Sequence, residues 1–402
     1  MLLLEQFPFD PASGAARSMR TISEIAARNG WRVRAVSTTE TEAAAPLDAL
    51  ETLRRNGCAG VAEHSVAGAR ALRCTHRAVE HTVLISGGAS FRGRLGGHNA
   101  ALDRIVDAAF EDERPDAVFT YGGSAEHVAR LRAARARGSA IVFGLRNAGY
   151  LHREAFEHVD HVLSAGRWLS DTYKREIGLD SVPIPTPIDP ADVVAPRHEP
   201  VFVTAVNPTL EKGVYAMVRM FEELGVRRPD IPLLTVASRG DTGAILRAAN
   251  DAGVDLARHQ SLMHAPGVAM PASIYAQSRI VLVPSLWCEP SGRIGAEALV
   301  NGVPPIVSDR GGLPDTVRPE GGPEEGGGFV LPLPERLTHR THIVPTREEV
   351  RDWTDLIERL CDDEPFYEQS SARAREAGCM YAPEVIEPQY AAFFDGVAAC
   401  PM

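Results

Sequence analysis

The sequence predicts an α/β fold of two doubly wound parallel-sheet domains facing each other across a cleft. Three observations predict it. The chain has 402 residues, more than one ordinary hydrophobic core organises. Short apolar runs alternate with amphipathic stretches of helical length, the pattern of a parallel sheet covered by crossover helices. Six prolines crowd into residues 182–200, VPIPTPIDPADVVAPRHEP, where no amphipathic period survives. That break is the best candidate for a domain boundary. The expected divisions are a first domain over 1–187, a linker over 188–200, a second domain over 201–380 and a tail helix over 381–402.

The elements follow in order. Leu2–Gln6 reads as a first buried strand, and the loop Phe7–Gly14 (FPFDPASG) leads into a helix over Ala15–Asn29. Gly30 stands where a helix C-cap would be. Trp31–Ser37 is a strand, Leu47–Arg55 a helix and His81–Ser86 a strand. The glycine-rich Ser86–His98 lacks the GK[ST] ending of a nucleotide-binding P-loop and is expected to be a mobile loop. A helix over Ala100–Asp112, a strand over Asp116–Tyr121 and a basic helix over Glu126–Arg137 come next. Strands at Ala140–Phe143 and His161–Ser164, a helix near Trp168–Ile177 and the extended Val182–Pro185 complete the first half. Beyond the prolines the rhythm restarts: strand Val201–Val206, helix Val214–Leu224, strand Pro232–Ala237 and helix Thr242–Ala252. The unit Ile280–Val317 follows, then a Gly/Pro-rich loop at Glu320–Gly328. Helices near Glu348–Asp362, Glu364–Ala377 and Pro383–Val397 close the chain.

Composition excludes several classes. A hydrophobic fraction of 44% and a charged fraction of 24% are those of a soluble globular protein. A net charge of −11 makes a poor general binder of nucleic acid or of an anionic membrane. The six cysteines are scattered with no CxxC pair, which fits reduced thiols in a cytosolic enzyme. Cys58, His64, Cys74 and His76 match no common zinc spacing. No apolar run approaches the ~20 residues that cross a bilayer. Met1–Leu4 is followed at once by Glu5, so no secretory signal is read there, and the expected location is cytoplasmic.

Ile280–Val317, IVLVPSLWCEPSGRIGAEALVNGVPPIVSDRGGLPDTV, carries the chemistry. It reads as strand, helix and strand. A right-handed crossover puts both loops, 284–291 and 308–312, at the carboxyl edge of one parallel sheet, where such sheets bind ligands. Glu289 and Gly311-Gly312 should therefore meet. Ser291 is the expected N-cap, with Gly292, Arg293 and Ile294 as the first turn. The free N–H groups of that turn and the positive end of the helix suit a diphosphate. Glu297 lies one turn on, on the face of Arg293 and Ile294. There it could bind a ribose, and Glu289 a hexose. A lone helix glutamate is ordinarily solvated surface. Two in an otherwise apolar crossover require ligands or basic neighbours, because buried carboxylates are costly alone.

Glu289-Pro290-Ser291-Gly292, Glu297-Ala298-Leu299, Gly302-Val303-Pro304 and Gly311-Gly312-Leu313-Pro314 closely resemble the retaining glycosyltransferases of family 4, including the E-x7-E spacing. Those enzymes have two Rossmann-like domains in the arrangement called GT-B. Asn207-Pro208 through Glu211-Lys212-Gly213 resembles their phosphate-binding loop, and the loop ending Ser13-Gly14 their glycine-rich first loop. Val159–Leu163 and Pro187-Ile188-Asp189 also sit where the family has similar segments. The resemblance covers nearly the whole chain and is weakest between about Thr38 and Gly97.

The resemblance implies roles. Lys212 would bind the donor diphosphate, Glu297 the ribose, and Glu289 with the backbone at Gly292–Ile294 the sugar. Gly14 would let the first loop approach the diphosphate without a Cβ. The family often has arginine where this chain has Asn207, a lost cation that Arg293 or Arg239 would replace. A histidine near the reacting carbon is also frequent. The corresponding stretch here, Gly144–His152, offers His152 or Asn147 as an imperfect match. The tail helix would pack back on the first domain.

The implied reaction transfers a hexose, with retention, from a nucleotide diphosphate sugar to an acceptor hydroxyl, without metal or other cofactor. A UDP-sugar is the expected donor and a soluble small molecule the expected acceptor. A homodimer stays open. Rival readings are a sugar-nucleotide epimerase, a phosphorylase on the same fold, or a catalytically silent paralogue. A dinucleotide-dependent dehydrogenase is disfavoured, since no GxGxxG follows an early strand. Ser238–Asp241 and His264–Pro271 are expected to face the base.

Overall fold

A computed structural model describes residues 1–42, 47–86, 96–237, 242–266 and 271–399. The chain runs through β1 (Leu2–Leu3), α1 (Gly14–Arg28), β2 (Val33–Thr38), α2 (Ala49–Arg55), β3 (Ala59–Val66), β4 (Ala69–His76) and β5 (Val79–Leu84). It continues through α3 (Asn99–Asp112), β6 (Ala117–Thr120), α4 (Ala125–Ala136), β7 (Ala140–Leu145), β8 (His161–Ser164), α5 (Arg167–Ile177) and β9 (Val182–Pro183). After the prolines come α6 (Pro190–Val193), β10 (Phe202–Val206), α7 (Val214–Arg227), β11 (Leu233–Val236), α8 (Ala244–Asp251), β12 (Leu262–Ala265) and α9 (Ala272–Tyr275). Then follow β13 (Ser278–Val283), α10 (Arg293–Val300), β14 (Pro305–Ser308), α11 (Leu313–Val317), β15 (Phe329–Leu331), α12 (Arg351–Asp362), α13 (Glu364–Gly378) and α14 (Pro383–Ala399).

The chain divides into two compact units. Unit 1 is Met1–Pro187 with Ile386–Met402, and unit 2 is Ile188–Val385. The segment expected as a free linker, 188–200, groups with unit 2. Its apolar side chains explain why: Ile188 and Val193 are buried beside Tyr275 and Leu299, and the Asn301 side chain holds the Val193 carbonyl (3.0 Å) and the Ala195 N–H (2.8 Å).

Unit 2 is a six-stranded sheet in the order β12-β11-β10-β13-β14-β15, parallel throughout. Its strands alternate between two buried faces, which is why they read as continuous apolar runs. On β13, Ile280 and Leu282 join the core under α7 and α12, while Val281 and Val283 join the core under α10 and α13. Trp353 of α12 is buried and donates its indole N–H to the Pro332 carbonyl (3.1 Å).

Unit 1 has a nine-stranded sheet in the order β3-β4-β5-β2-β1-β6-β7-β8-β9. From β5 to β9 the pairing is parallel. The strands β3 and β4 are antiparallel and correct the all-parallel expectation. Their turn uses Ala67 and Gly68 at φ of +49° and +75°, a tight reversal that needs no crossover helix. The last helix belongs to unit 1. Tyr390 and Phe394 of α14 enter its core, and Phe394 stacks against Trp31 (5.7 Å between centroids) and edge-on to Phe119 (5.6 Å).

Beneath the hairpin lies a buried polar knot. Glu24, with no exposure, meets His76 Nδ1 at 2.8 Å and Arg20 Nε at 3.2 Å. Next to it His81 is buried against Phe9 (5.2 Å), and neither ring nitrogen has a hydrogen-bond partner. Burial, with His76 and Arg20 nearby, pushes its pKa down to about 3. A folded-state pKa below the free value leaves stability intact above the free value and removes it as pH falls. His81 should therefore cost unit 1 up to about 4 kcal/mol between pH ~6.5 and ~3. Thermal unfolding across that range should show a shallower acid slope for His81→Leu than for wild type; equal slopes would rule this group out.

Candidate functional site

The site is built from two loops at the carboxyl edge of the unit 2 sheet, one after β10 and one after β13. The first begins at Asn207, which adopts a left-handed φ of +61°, a region asparagine tolerates better than most residues. Its N–H donates to the Val236 carbonyl (2.6 Å) and its carbonyl accepts from Thr209 N–H (2.8 Å). Lys212 and Val214 also donate to the Thr209 carbonyl, at 3.1 and 3.0 Å, so the chain coils tightly before α7. Gly213 closes the coil at φ +77°, and a Cβ there would lie 2.0 Å from the Pro284 carbonyl oxygen. The two loops touch backbone to backbone at this point.

The contact is stitched. One carbonyl, that of Glu211, accepts the N–H groups of Leu286 (2.9 Å) and Trp287 (3.1 Å) and the hydroxyl of Ser285 (2.9 Å). From the other side, Ser308 at the end of β14 donates to the Ser285 carbonyl (2.6 Å). Gly311 and Gly312 then pack on the second loop as expected. Gly312 N–H donates to the Glu289 carbonyl (2.7 Å), and a Cβ on Gly311 would lie 2.5 Å from Glu289 backbone atoms.

This places Lys212 Nζ 2.8 Å from Glu289 Oε1, in an ion pair whose members have side chains 20% and 8% exposed. The contact is an ion pair rather than an aligned hydrogen bond, and Oε1 is itself buried. Opposite charge beside the N-terminus of α7 removes the conflict between a lysine and the helix dipole.

Glu297 is likewise buried. Arg293 Nε holds its Oε1 at 2.7 Å, and the Tyr275 hydroxyl donates to Oε2 at 2.7 Å. Asn301 donates to the Glu297 carbonyl (2.8 Å). The shared face of Arg293 and Glu297 is thus as expected, while Tyr275 had no signal: it lies in PASIYAQS, without a motif or a period that marks it.

The start of α10 differs from the expectation. Gly292, not Ser291, occupies the N-cap position, and no side chain caps the helix. Gly292 N–H donates to Thr316 Oγ1 (2.9 Å) and Arg293 N–H to the Ser291 carbonyl (3.1 Å). The first turn therefore offers fewer free amides than the sequence pattern implied. Ile294 N–H follows these two, and its side chain is half-buried beside the α10 core.

In unit 1, Ser13 caps α1 through its hydroxyl (3.3 Å to Ala16 N), and Gly14 is the first helical residue. Among the described residues, its own helix and chain neighbours apart, no heavy atom lies within 4 Å of where a Gly14 Cβ would be. At the carboxyl end of β1, Glu5 is gripped by Arg130, by the hydroxyl of Ser124 (3.3 Å) and by His127 (3.5 Å). Burial alone would raise that carboxyl, but these partners hold it below its usual value.

The stretch after β7 is organised by Tyr173. Its hydroxyl donates to the Asn147 carbonyl and accepts from Tyr150 N–H, both at 3.0 Å. The Asn147 side chain accepts Gly149 N–H (2.8 Å) and is thereby used in the turn. His152 is exposed, with Nδ1 3.6 Å from a Glu154 carboxylate oxygen. Arg146, missed by sequence reading, is buried with its guanidinium nitrogens unpaired; burial lowers its pKa and the Tyr390 hydroxyl opposes that. Arg239 and the rest of Ser238–Asp241 lie outside the described residues, as do 267–270 of His264–Pro271 and 87–95 of Ser86–His98.

Among the described residues no cluster of three or more His, Cys, Asp or Glu side chains is arranged to hold a metal ion. No described helix is long and apolar enough to cross a membrane.

Comparison with known proteins then places unit 2. Residues 196–377 match the family model for glycosyl transferases group 1. That match lies wholly within unit 2. Two curated relatives are D-inositol 3-phosphate glycosyltransferases. That of Corynebacterium diphtheriae is 26% identical over 217 residues, covering 51% of this chain and 45% of the relative. That of Corynebacterium aurimucosum is 29% identical over 160 residues, covering 38% and 33%. The matched regions thus span less than half the length of either relative.

Solved structures match over nearly the whole length. A glycosyltransferase from Rickettsia africae has a TM-score of 0.67 at 12% identity, covering 99% of this chain and 98% of that one. Anabaena HepE in complex with UDP and glucose has a TM-score of 0.63 at 14% identity, with the same coverage. The fold of the chain is therefore GT-B.

The loop stitch makes a structural prediction. Gly213→Ala adds a methyl group in a left-handed conformation against a carbonyl, and should cost more than about 2 kcal/mol of unit 2 stability. Denaturant unfolding measures it; a variant as stable as wild type would show that the loops can part without cost.

Proposed function

We propose that the protein is a retaining, metal-independent glycosyltransferase that moves a hexose from a UDP-sugar to a hydroxyl of a soluble small-molecule acceptor in the cytoplasm. The observation that carries this reading is the pairing of Lys212 with buried Glu289 across two loops locked together, with Glu297 one helical turn away. The names of the curated relatives and the UDP and glucose held by Anabaena HepE support it.

The roles follow from the chemistry. Donor cleavage breaks the bond between the anomeric carbon and the diphosphate oxygen, and negative charge grows on that oxygen. Lys212, already desolvated and fixed, stabilises it. Glu289 Oε1, lacking an aligned donor, accepts a hydroxyl of the hexose. Glu297, held by Arg293 and Tyr275, accepts the ribose hydroxyls through its remaining lone pairs. The new bond forms between the acceptor oxygen and the anomeric carbon, and the acceptor proton passes to the departing phosphate on the same face. Gly14, at the start of α1 with open space where a Cβ would stand, is our unit 1 candidate for donor binding. His152 is our unit 1 candidate near the reacting carbon, its imidazole exposed beside Glu154.

Incubation of the full chain with UDP-, GDP-, ADP- and dTDP-sugars, with and without polyol acceptors, tests the reading. UDP release that depends on acceptor is expected, with Lys212→Ala lowering kcat/KM by about a hundredfold or more. Binding without turnover of any donor would replace the reading with a silent nucleotide-sugar binder; absence of binding would remove it.

A further inference from the structure

We infer that Arg293 is the second cation of the donor diphosphate site, supplying the charge that position 207 cannot. The inference rests on the nucleotide-sugar reading above and assigns a specificity role within the same site.

A diphosphate diester carries a negative charge on each phosphorus, and Lys212 answers one of them. Of two other sources, one is lacking and one is reduced. Asn207 is neutral and committed: its left-handed backbone forms the turn that starts the first loop, with N–H and carbonyl both bonded (2.6 and 2.8 Å). The start of α10 has spent the amides of Gly292 and Arg293 on Thr316 Oγ1 and the Ser291 carbonyl.

Arg293 is placed to fill the gap. A guanidinium is a planar fork whose separate edges bind separate acceptors. Its Nε edge is fixed on Glu297 Oε1 at 2.7 Å. Its Nη1 is buried and donates to nothing. A buried charged donor without an acceptor is unfavourable, so the site as it stands wants an anionic or strongly accepting group there. Glu297 cannot rotate to take Nη1, because Tyr275 holds the other oxygen of the same carboxylate at 2.7 Å. Tyr275 is thus a positioning residue: by fixing Glu297 it keeps the second edge of Arg293 available. The Arg293 side chain keeps 17% of its surface exposed although Nη1 itself is covered, so a phosphate oxygen meets that edge only as the guanidinium turns toward it.

The same reading explains why Glu289 and Glu297 are each matched by a basic partner before any donor arrives. The site is neutral in sum, and each ion pair keeps one atom, Glu289 Oε1 and Arg293 Nη1, without an aligned partner. One offers an acceptor to a sugar hydroxyl and the other a donor to a phosphate oxygen.

Calorimetric titration of UDP into wild type, Arg293→Gln and Arg293→Lys, with uridine binding followed by saturation-transfer NMR, tests this. Arg293→Gln should weaken UDP about tenfold to a hundredfold, the worth of one charged hydrogen bond. Uridine binding should fall by clearly less than UDP binding, since Tyr275 still holds Glu297, and Arg293→Lys should recover part of the loss. Unchanged UDP affinity in Arg293→Gln would overturn the inference. Equal loss of UDP and uridine would also overturn it, because a residue that only supports Glu297 would weaken the ribose contacts. Failure of wild type to bind UDP, GDP, ADP or dTDP would instead overturn the nucleotide-sugar reading itself and this inference with it.

Discussion

The carbonyl of Glu211 is the constraint on which the rest of the site depends. It accepts three donors from the loop after β13, the amides of Leu286 and Trp287 and the hydroxyl of Ser285. A carbonyl oxygen has two lone pairs, so three donors share them and must converge on it. They converge because Gly213 lets the helix start press against Pro284 with no side chain between. Without this join Lys212 would be a mobile lysine in one loop and Glu289 a buried carboxylate in another. With it they form a pair at 2.8 Å before any ligand is present. Preorganised charge of this kind is what a site needs if it is to stabilise a leaving group without rearrangement.

The arrangement around Glu297 follows the same logic by different means. Its carboxylate is fixed by one partner from its own helix, Arg293, and one from the end of α9, Tyr275. Asn301, one turn further, ties α10 to the chain just after the proline-rich segment through Val193 and Ala195. The helix is therefore held at both ends. Its short length of eight residues is compensated by side-chain and backbone partners from three other segments.

Much of this was legible in the sequence, for physical reasons. The unit 2 strands are buried on both faces, so they stand out as continuous apolar runs. The crossover rule brings Glu289 to Gly311-Gly312 without any knowledge of coordinates. The i,i+4 spacing places Arg293 beside Glu297. What was not legible depends on long-range or backbone geometry. Strand β3 is largely exposed and so left no strand signal, and the buried positions of β4 are mostly small or polar residues, Ala69, Ala71, Cys74 and His76, which make its alternation weak in the sequence. Short edge strands such as β12 and β15 carry too few residues to show a period. The N-cap assignment to Ser291 missed because Thr316, from a different helix, takes the Gly292 amide instead. The linker expected at 188–200 carries helix breakers, yet Ile188 and Val193 bury well enough to join unit 2.

The central claim is that the loops 209–213 and 284–293 are one ligand-binding element. Amide hydrogen exchange of the full chain, with and without saturating UDP, tests it most directly, because a ligand held by both loops slows opening of both. The account predicts that peptides covering Thr209–Gly213 and Pro284–Arg293 gain protection together. Protection confined to one of the two loops, or UDP binding that slows neither, would contradict it.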